Sequence, residues 1–148
     1  MTTWVFVDVD GTLVDQKDNV RPWIRGLFSD LKNSDCFVVV WSAGGAGYAE
    51  RKMEMISRKL EFDFTPLVDA YMWKADGKSV HAESRFYIDD AEGLIDAMKL
   101  SGYGTFLVPF YCSSAEAVDN WLLDAAVAVE HFIDARDSDE VSSDDGDQ

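Results

Sequence analysis

The residues able to do chemistry stand where short apolar runs end. Asp8 and Asp10 close the run Trp4–Val9 and lead into Gly11-Thr12-Leu13. Ser42-Ala43-Gly44-Gly45 follows Cys36–Trp41, Lys74 follows Leu67–Trp73, and Asp89-Asp90 follows Arg85–Ile88. A spacing of two puts Asp8 and Asp10 on the same side of an extended segment. Carboxylates crowded in this way repel one another unless a cation sits among them, and Mg²⁺ prefers oxygen ligands of this kind. Asp89 and Asp90, brought in from another strand, could complete the set with water and a phosphate oxygen. With that charge neutralised, a carboxylate can attack phosphorus. A second carboxylate can protonate the leaving oxygen and then take a proton from the incoming water. Lys74 would hold the charge of the transferring group. Ser42 and nearby backbone N–H groups, that of Ala43 included, would hydrogen-bond its oxygens.

Such a site needs strands to carry it. Cys36–Trp41 is apolar at every position, which suits a strand covered on both faces of a parallel sheet. A fifth run, Thr105–Pro109, completes the set. Between the runs lie helical patterns. Pro22–Leu31 has apolar Trp23, Ile24, Leu27, Phe28 and Leu31 on one face, and Tyr48–Leu60 repeats Met53, Ile56 and Leu60 at helical spacing. Ala91–Leu100 stops at Ser101-Gly102, and Ala115–Phe132 follows a Ser113-Ser114 cap signal. Alternating strands and helices predict an α/β fold: a doubly wound, mainly parallel five-stranded sheet with helices on both faces. Active sites of such sheets gather at the carboxyl ends of the strands, where the acids, the hydroxyl and the lysine fall.

Composition narrows the classes. The chain has 148 residues, 47% of them hydrophobic, enough for one domain with a real core. The net charge is −15. Seven acids against one base over 134–148 account for −6, leaving −9 on the rest. A body this acidic repels nucleic acid at long range, so no extended nucleic-acid groove is expected. A small phosphorylated molecule, or the phosphorylated end of a macromolecule, remains admissible as partner. No segment approaches the roughly 18 apolar residues of a membrane helix, so no membrane partner is expected. Met1 leads straight into an apolar run, and Cys36 and Cys112 lack ligand spacing; the expected compartment is the cytoplasm. The expected division is a folded body over 1–134 and an acidic, disordered tail over 135–148.

Together these segments resemble the four motifs of the haloacid dehalogenase-like (HAD) superfamily of hydrolases. Val5-Phe6-Val7-Asp8-Val9-Asp10-Gly11-Thr12-Leu13 is similar to the first, and Val38-Val39-Val40-Trp41-Ser42 to the second. Lys74 stands for the third, and Phe86-Tyr87-Ile88-Asp89-Asp90 is similar to the fourth. The resemblance implies a Rossmann-like core with a small flap within Asp10–Val20. It implies Asp8 as nucleophile and metal ligand, and Asp10 as general acid/base that lends its backbone carbonyl to Mg²⁺. It implies Asp89 and Asp90 as the metal-holding pair, with Asp90 favoured as the direct ligand. Lys74, directly after the third run, is preferred to Lys78 as the phosphate-binding lysine. About 30 residues separate Asp8 from Ser42 and Ser42 from Lys74, too few for a large cap domain. The implied activity is that of a Mg²⁺-dependent phosphomonoester phosphatase working through an aspartyl-phosphate, on a nucleotide or nucleic-acid end in the version to test first. A homo-oligomer could supply the lid that a cap would otherwise provide.

Other readings fit less well. Counting Asp8 as the first position of a calcium loop puts Leu13 where glycine is required and Asn19 where glutamate is. A dinucleotide fingerprint at Gly45-Ala46-Gly47 meets Glu50 where a small residue belongs. The alternative from a different class is a phosphate- or partner-binding accessory protein that keeps the fold and has little turnover. Trp23 and Phe28 are expected in the core, Tyr111, Cys112 and Trp121 in packing roles, and His81 and His131 at the surface.

Overall fold

A computed structural model describes residues 1–113 and 118–146. Strands β1 (Thr3–Asp8), β2 (Phe37–Ser42), β3 (Ala70–Trp73), β4 (Ser84–Asp89) and β5 (Gly104–Leu107) form one sheet in the order β3-β2-β1-β4-β5. Every pairing is parallel. Helices α1 (Ile24–Asn33), α2 (Ala46–Leu60), α3 (Glu92–Leu100) and α4 (Trp121–Gly146) flank it, so the chain is an α/β protein with a Rossmann-like sheet. No large cap interrupts the described chain. Among the described residues no helix is long and apolar enough to cross a membrane.

The period of two along the strands sorts the core into two halves. Val5 and Val7, Val38 and Val40, and Phe86 and Ile88 point to one face. There they meet Leu27 and Phe28 of α1, Met53 and Ile56 of α2, and Leu122 and Val129 of α4. Phe6, Val39, Trp41 and Tyr87 point to the other face, where Ile95 of α3 and Val80 cover them. Two helix-clad faces explain the near-continuous apolar runs of the central strands. Burying each such side chain contributes roughly 1.5–3 kcal/mol.

Several boundaries differ from the sequence expectation. Strand β3 is shorter than Leu67–Trp73, because Thr65–Leu67 forms a 3-10 turn that Pro66 favours. Trp23 precedes α1 with φ of 73° and is 49% exposed, its indole N–H donating to Asn120 rather than entering the core. Phe28 alone of that pair is core. Among the described residues the last helix does not reach back to Ser113. Positions 114–117 lie outside the described residues, and α4 begins at Trp121, whose N–H bonds the carboxylate of Asp119. Tyr111 is buried as expected, whereas Cys112 is exposed and Trp121 is 42% exposed. Both histidines are exposed, as expected.

Helix α4 also runs on to Gly146, through most of the segment read as a disordered tail over 135–148; 147 and 148 lie outside the described residues. Arg136 helps hold it. Its guanidinium donates to Thr3 and Ser84, which share a buried hydrogen bond at the start of β1 and β4, and it pairs with Asp137.

Candidate active site

Strands β1 and β4 are neighbours in register, with Val7 opposite Ile88, so the residues that follow both emerge together at the carboxyl edge. One carboxylate oxygen each from Asp8, Asp89 and Asp90 lies within 4.8 Å of the others. Asp8 and Asp89 are buried, and Asp90 is half-buried. The ammonium of Lys74 fits between two of them, 2.9 Å from Asp8 Oδ1 and 2.8 Å from Asp89 Oδ2. It reaches there because Ser42 and Trp73 are paired across β2 and β3, which ends β3 two strands away from Asp8. Lys78, at the far end of the 3-10 segment Lys74–Ser79, is exposed. Lys74 is therefore the lysine of the cluster.

The other oxygens are also engaged. Thr12 Oγ1 lies 2.9 Å from Asp8 Oδ2 and 3.2 Å from Asp90 Oδ1, so its single proton serves one carboxylate at a time. Asp89 Oδ1 accepts the backbone N–H of Ala91 at 2.9 Å. Burial, contact with Asp90 and the charge of Asp89 hold the Asp8 carboxyl well above the usual carboxylate range, against the pull of Lys74. Burial also raises Asp89 against the pull of the same amine. Burial alone would lower Lys74, but the charges of Asp8 and Asp89 outweigh it and raise its pKa. Two carboxylates thus share one ammonium, and the third, Asp90, lies beside them with only the Thr12 hydroxyl as partner among the described residues. In donor chemistry and spacing, the Asp8, Asp89 and Asp90 oxygens suit a small hard cation, which would relieve their remaining repulsion.

Asp10 stands apart from that trio. Its carboxylate is exposed and accepts the hydroxyl of Tyr48, 2.8 Å from Oδ2 and 3.0 Å from Oδ1. The spacing of two failed to put Asp8 and Asp10 side by side because β1 ends at Asp8 and the chain turns at Gly11. Gly11 has φ of 80°, and a Cβ there would come 2.5 Å from Asp90 Oδ2 and 2.6 Å from the ring of Phe110. A left-handed backbone without side chain is what lets Asp90 approach. Burial and the hydrogen bond to Asp10 raise the Tyr48 phenol. Neither Tyr48 nor Thr12 carried a role in the sequence reading. Tyr48 is separated from Asp10 by the whole α1–β2 unit, so no local pattern links them, although Thr12 was visible as part of Asp-Gly-Thr.

Ser42 ends β2 buried, with its Oγ accepting the N–H of Gly44 at 3.0 Å. Ala43 is exposed, and its carbonyl accepts the indole N–H of Trp73 at 3.1 Å. The loop after β1 is compact. Val14 bridges both Asp10 and Val20, and the Asp15 carboxylate closes the turn by accepting the N–H groups of Lys17 and Asn19. Arg21 is 2% exposed and ties this loop to the one after β5. It donates to the carbonyls of Gly11 at 3.4 Å, Thr12 at 3.3 Å and Pro109 at 2.9 Å, and pairs with Asp119 at 2.9 Å.

No protein-family model matches this chain, and no curated protein matches it. Among solved structures it is similar to the Mycobacterium tuberculosis protein tyrosine kinase A (PtkA), with 16% identity and a TM-score of 0.42. The alignment covers 68% of this chain and 51% of that one, so the chain spans about half of that protein's length. A likeness of this degree carries no argument about activity.

Proposed function

We propose that the chain is a capless phosphohydrolase of the HAD-like type, dependent on Mg²⁺, with Asp8 as the covalent nucleophile. The observation that carries this reading is the setting of Asp8: buried, flanked by Asp89 and Asp90, with one oxygen on Lys74 and the other on Thr12. A structural ion pair needs one acid per base; here two acids share one amine and a third carboxylate, Asp90, lies beside them, which is costly unless something cationic and something anionic are to be bound there. Asp8, Asp89 and Asp90 would hold the metal. When bound, Mg²⁺ would screen the charge between the carboxylates and a phosphate dianion.

Asp8 attacks phosphorus through a carboxylate oxygen, the ester P–O bond breaks, and the leaving oxygen takes a proton from Asp10. Water then attacks the aspartyl-phosphate and gives its proton to Asp10. Phosphate departs, and the Asp8 carboxylate is restored. Lys74 moves little in this sequence, since its ammonium already touches the nucleophile and can share the charge of the phosphoryl oxygens. Ser42 and the N–H groups of the loop that follows it border the same edge. Tyr48 fixes the Asp10 carboxylate by donating its hydroxyl to it.

The test is hydrolysis of a generic aryl phosphate with Mg²⁺ and with a chelator, for the natural sequence and Asp8→Asn. Turnover that needs both the metal and Asp8 is the expected result. A broad phosphoester panel left untouched, with metal present, would defeat the proposal.

A further inference from the structure

We infer that Phe110 is a specificity-determining residue, whose ring stacks on a planar aromatic leaving group. The inference rests on the phosphohydrolase reading and narrows its substrates to aromatic phosphomonoesters, in preference to aliphatic ones.

Residues on either side of Phe110 are pinned: the carbonyl of Pro109 accepts from Arg21, and the N–H of Tyr111 donates to the carbonyl of Gly11 at 2.8 Å. Phe110 is thus presented by a clamped segment, yet its ring is 47% exposed. Its inner edge packs on Gly11 at the point where Asp90 also arrives, so the ring begins where the carboxylate cluster ends.

Phe110 also lines a hollow of about 180 Å³, together with Asp15, Gln16, Lys17, Tyr111, Cys112 and Ser113. That is room for several waters or a single ring system. A phosphate seated among Lys74, Asp8 and Asp90 would have its ester oxygen beside this ring, because Asp90 and Phe110 both close on Gly11. A planar group carried on that oxygen then meets the face of Phe110, a contact that rewards an aromatic ring and not an aliphatic chain. Two sources share this chemistry: an aryl ring bonded directly to the ester oxygen, as in phosphotyrosine, and a nucleobase carried through a ribose.

The experiment compares kcat/KM for O-phosphotyrosine, adenosine 5′-monophosphate and glycerol 3-phosphate in the natural sequence, Phe110→Leu, Phe110→Ala and Trp73→Ala. Binding of the same three compounds to Asp8→Asn, with and without Phe110→Leu, is measured by calorimetry with Mg²⁺ present. The natural sequence should prefer at least one aromatic ester to glycerol 3-phosphate by about tenfold or more, the scale of ring stacking. Phe110→Leu, which keeps apolar bulk, should collapse that ratio, and Trp73→Ala should leave it in place. Which aromatic ester is preferred distinguishes the two sources. A ratio unchanged in both Phe110 variants, or one lost only in Trp73→Ala, overturns the inference while leaving the phosphohydrolase reading intact. Phe110-dependent binding of aromatic esters without any turnover does the reverse.

Discussion

Replacing Arg21 by methionine should destabilise the protein by about 4 kcal/mol, and the sum can be followed contact by contact. Methionine keeps most of the volume, so no large cavity opens, and the loss is polar. Removing one partner of a buried ion pair costs roughly 3–5 kcal/mol. Asp119 is 14% exposed in its side chain, and water can reach it, which argues for the lower end. The Pro109 carbonyl loses a good donor at 2.9 Å, while those of Gly11 and Thr12 lose weak ones at 3.3–3.4 Å. Pro109 is exposed and water can replace the lost donor, so this adds only about 1 kcal/mol. Against a total stability of about 5–15 kcal/mol the loss is large. At roughly 2–4 °C per kcal/mol for a domain near this size, Tm should fall by about 10 °C. Arg21→Lys keeps the charge without the planar fork and should recover only part of the loss. Thermal and urea unfolding followed by circular dichroism measure this directly. A second readout is functional. Arg21 holds the backbone of Thr12, whose hydroxyl serves Asp8 and Asp90, so hydrolysis should fall well below the melting range too. If Arg21→Met unfolds within about 1 kcal/mol of the natural sequence, the clamp argument is wrong.

Three further outcomes are expected. Lys74→Met should lower hydrolysis by about a hundredfold or more, the scale of losing one charge-stabilising donor, whereas Lys78→Met should stay within a few-fold; equal losses in the two would remove Lys74 from the site. Gly11→Ala should cost about 1–3 kcal/mol in urea unfolding, because it strains a left-handed backbone and drives a methyl group into Asp90 and Phe110; unaltered stability would refute the close approach. Cys36 is buried, and burial pushes its thiol up to about 11; since the reactive thiolate is the deprotonated form, alkylation of Cys36 in the folded protein should stay slow until pH nears that value, while exposed Cys112 reacts readily. Mass spectrometry of alkylated peptides across pH checks this, and rapid labelling of Cys36 at pH 8 would contradict it.

The sheet was legible because its central strands are apolar on both faces and end in chemistry-bearing residues. Asp89-Asp90 and Asp8 could be matched to neighbouring strand ends before any pairing was known, and the choice of Lys74 over Lys78 followed from its position directly after β3. What stayed hidden depended on tertiary partners. Asp10 shares a local spacing with Asp8, but the turn at Gly11 sends its carboxylate to Tyr48 on α2. Trp23 reads as an amphipathic core residue, yet its left-handed backbone turns it outward. The acidic segment after 134 reads as a disordered tail by composition; at its start Arg136 reaches back to Thr3 and Ser84, a contact between chain ends that no window of sequence contains. Arg21 and Phe110 matter through one another's loops, and only the folded chain brings those loops together.

The central claim is that phosphorus becomes bonded to Asp8 during turnover. Acid-quenching the protein with an aryl phosphate and Mg²⁺, then sequencing its peptides by mass spectrometry, reads this directly. The account predicts one phosphoryl group on Asp8, absent in Asp8→Asn and absent under chelation. Hydrolysis that continues at the natural rate in Asp8→Asn, with no phosphoryl group on that peptide, would contradict it.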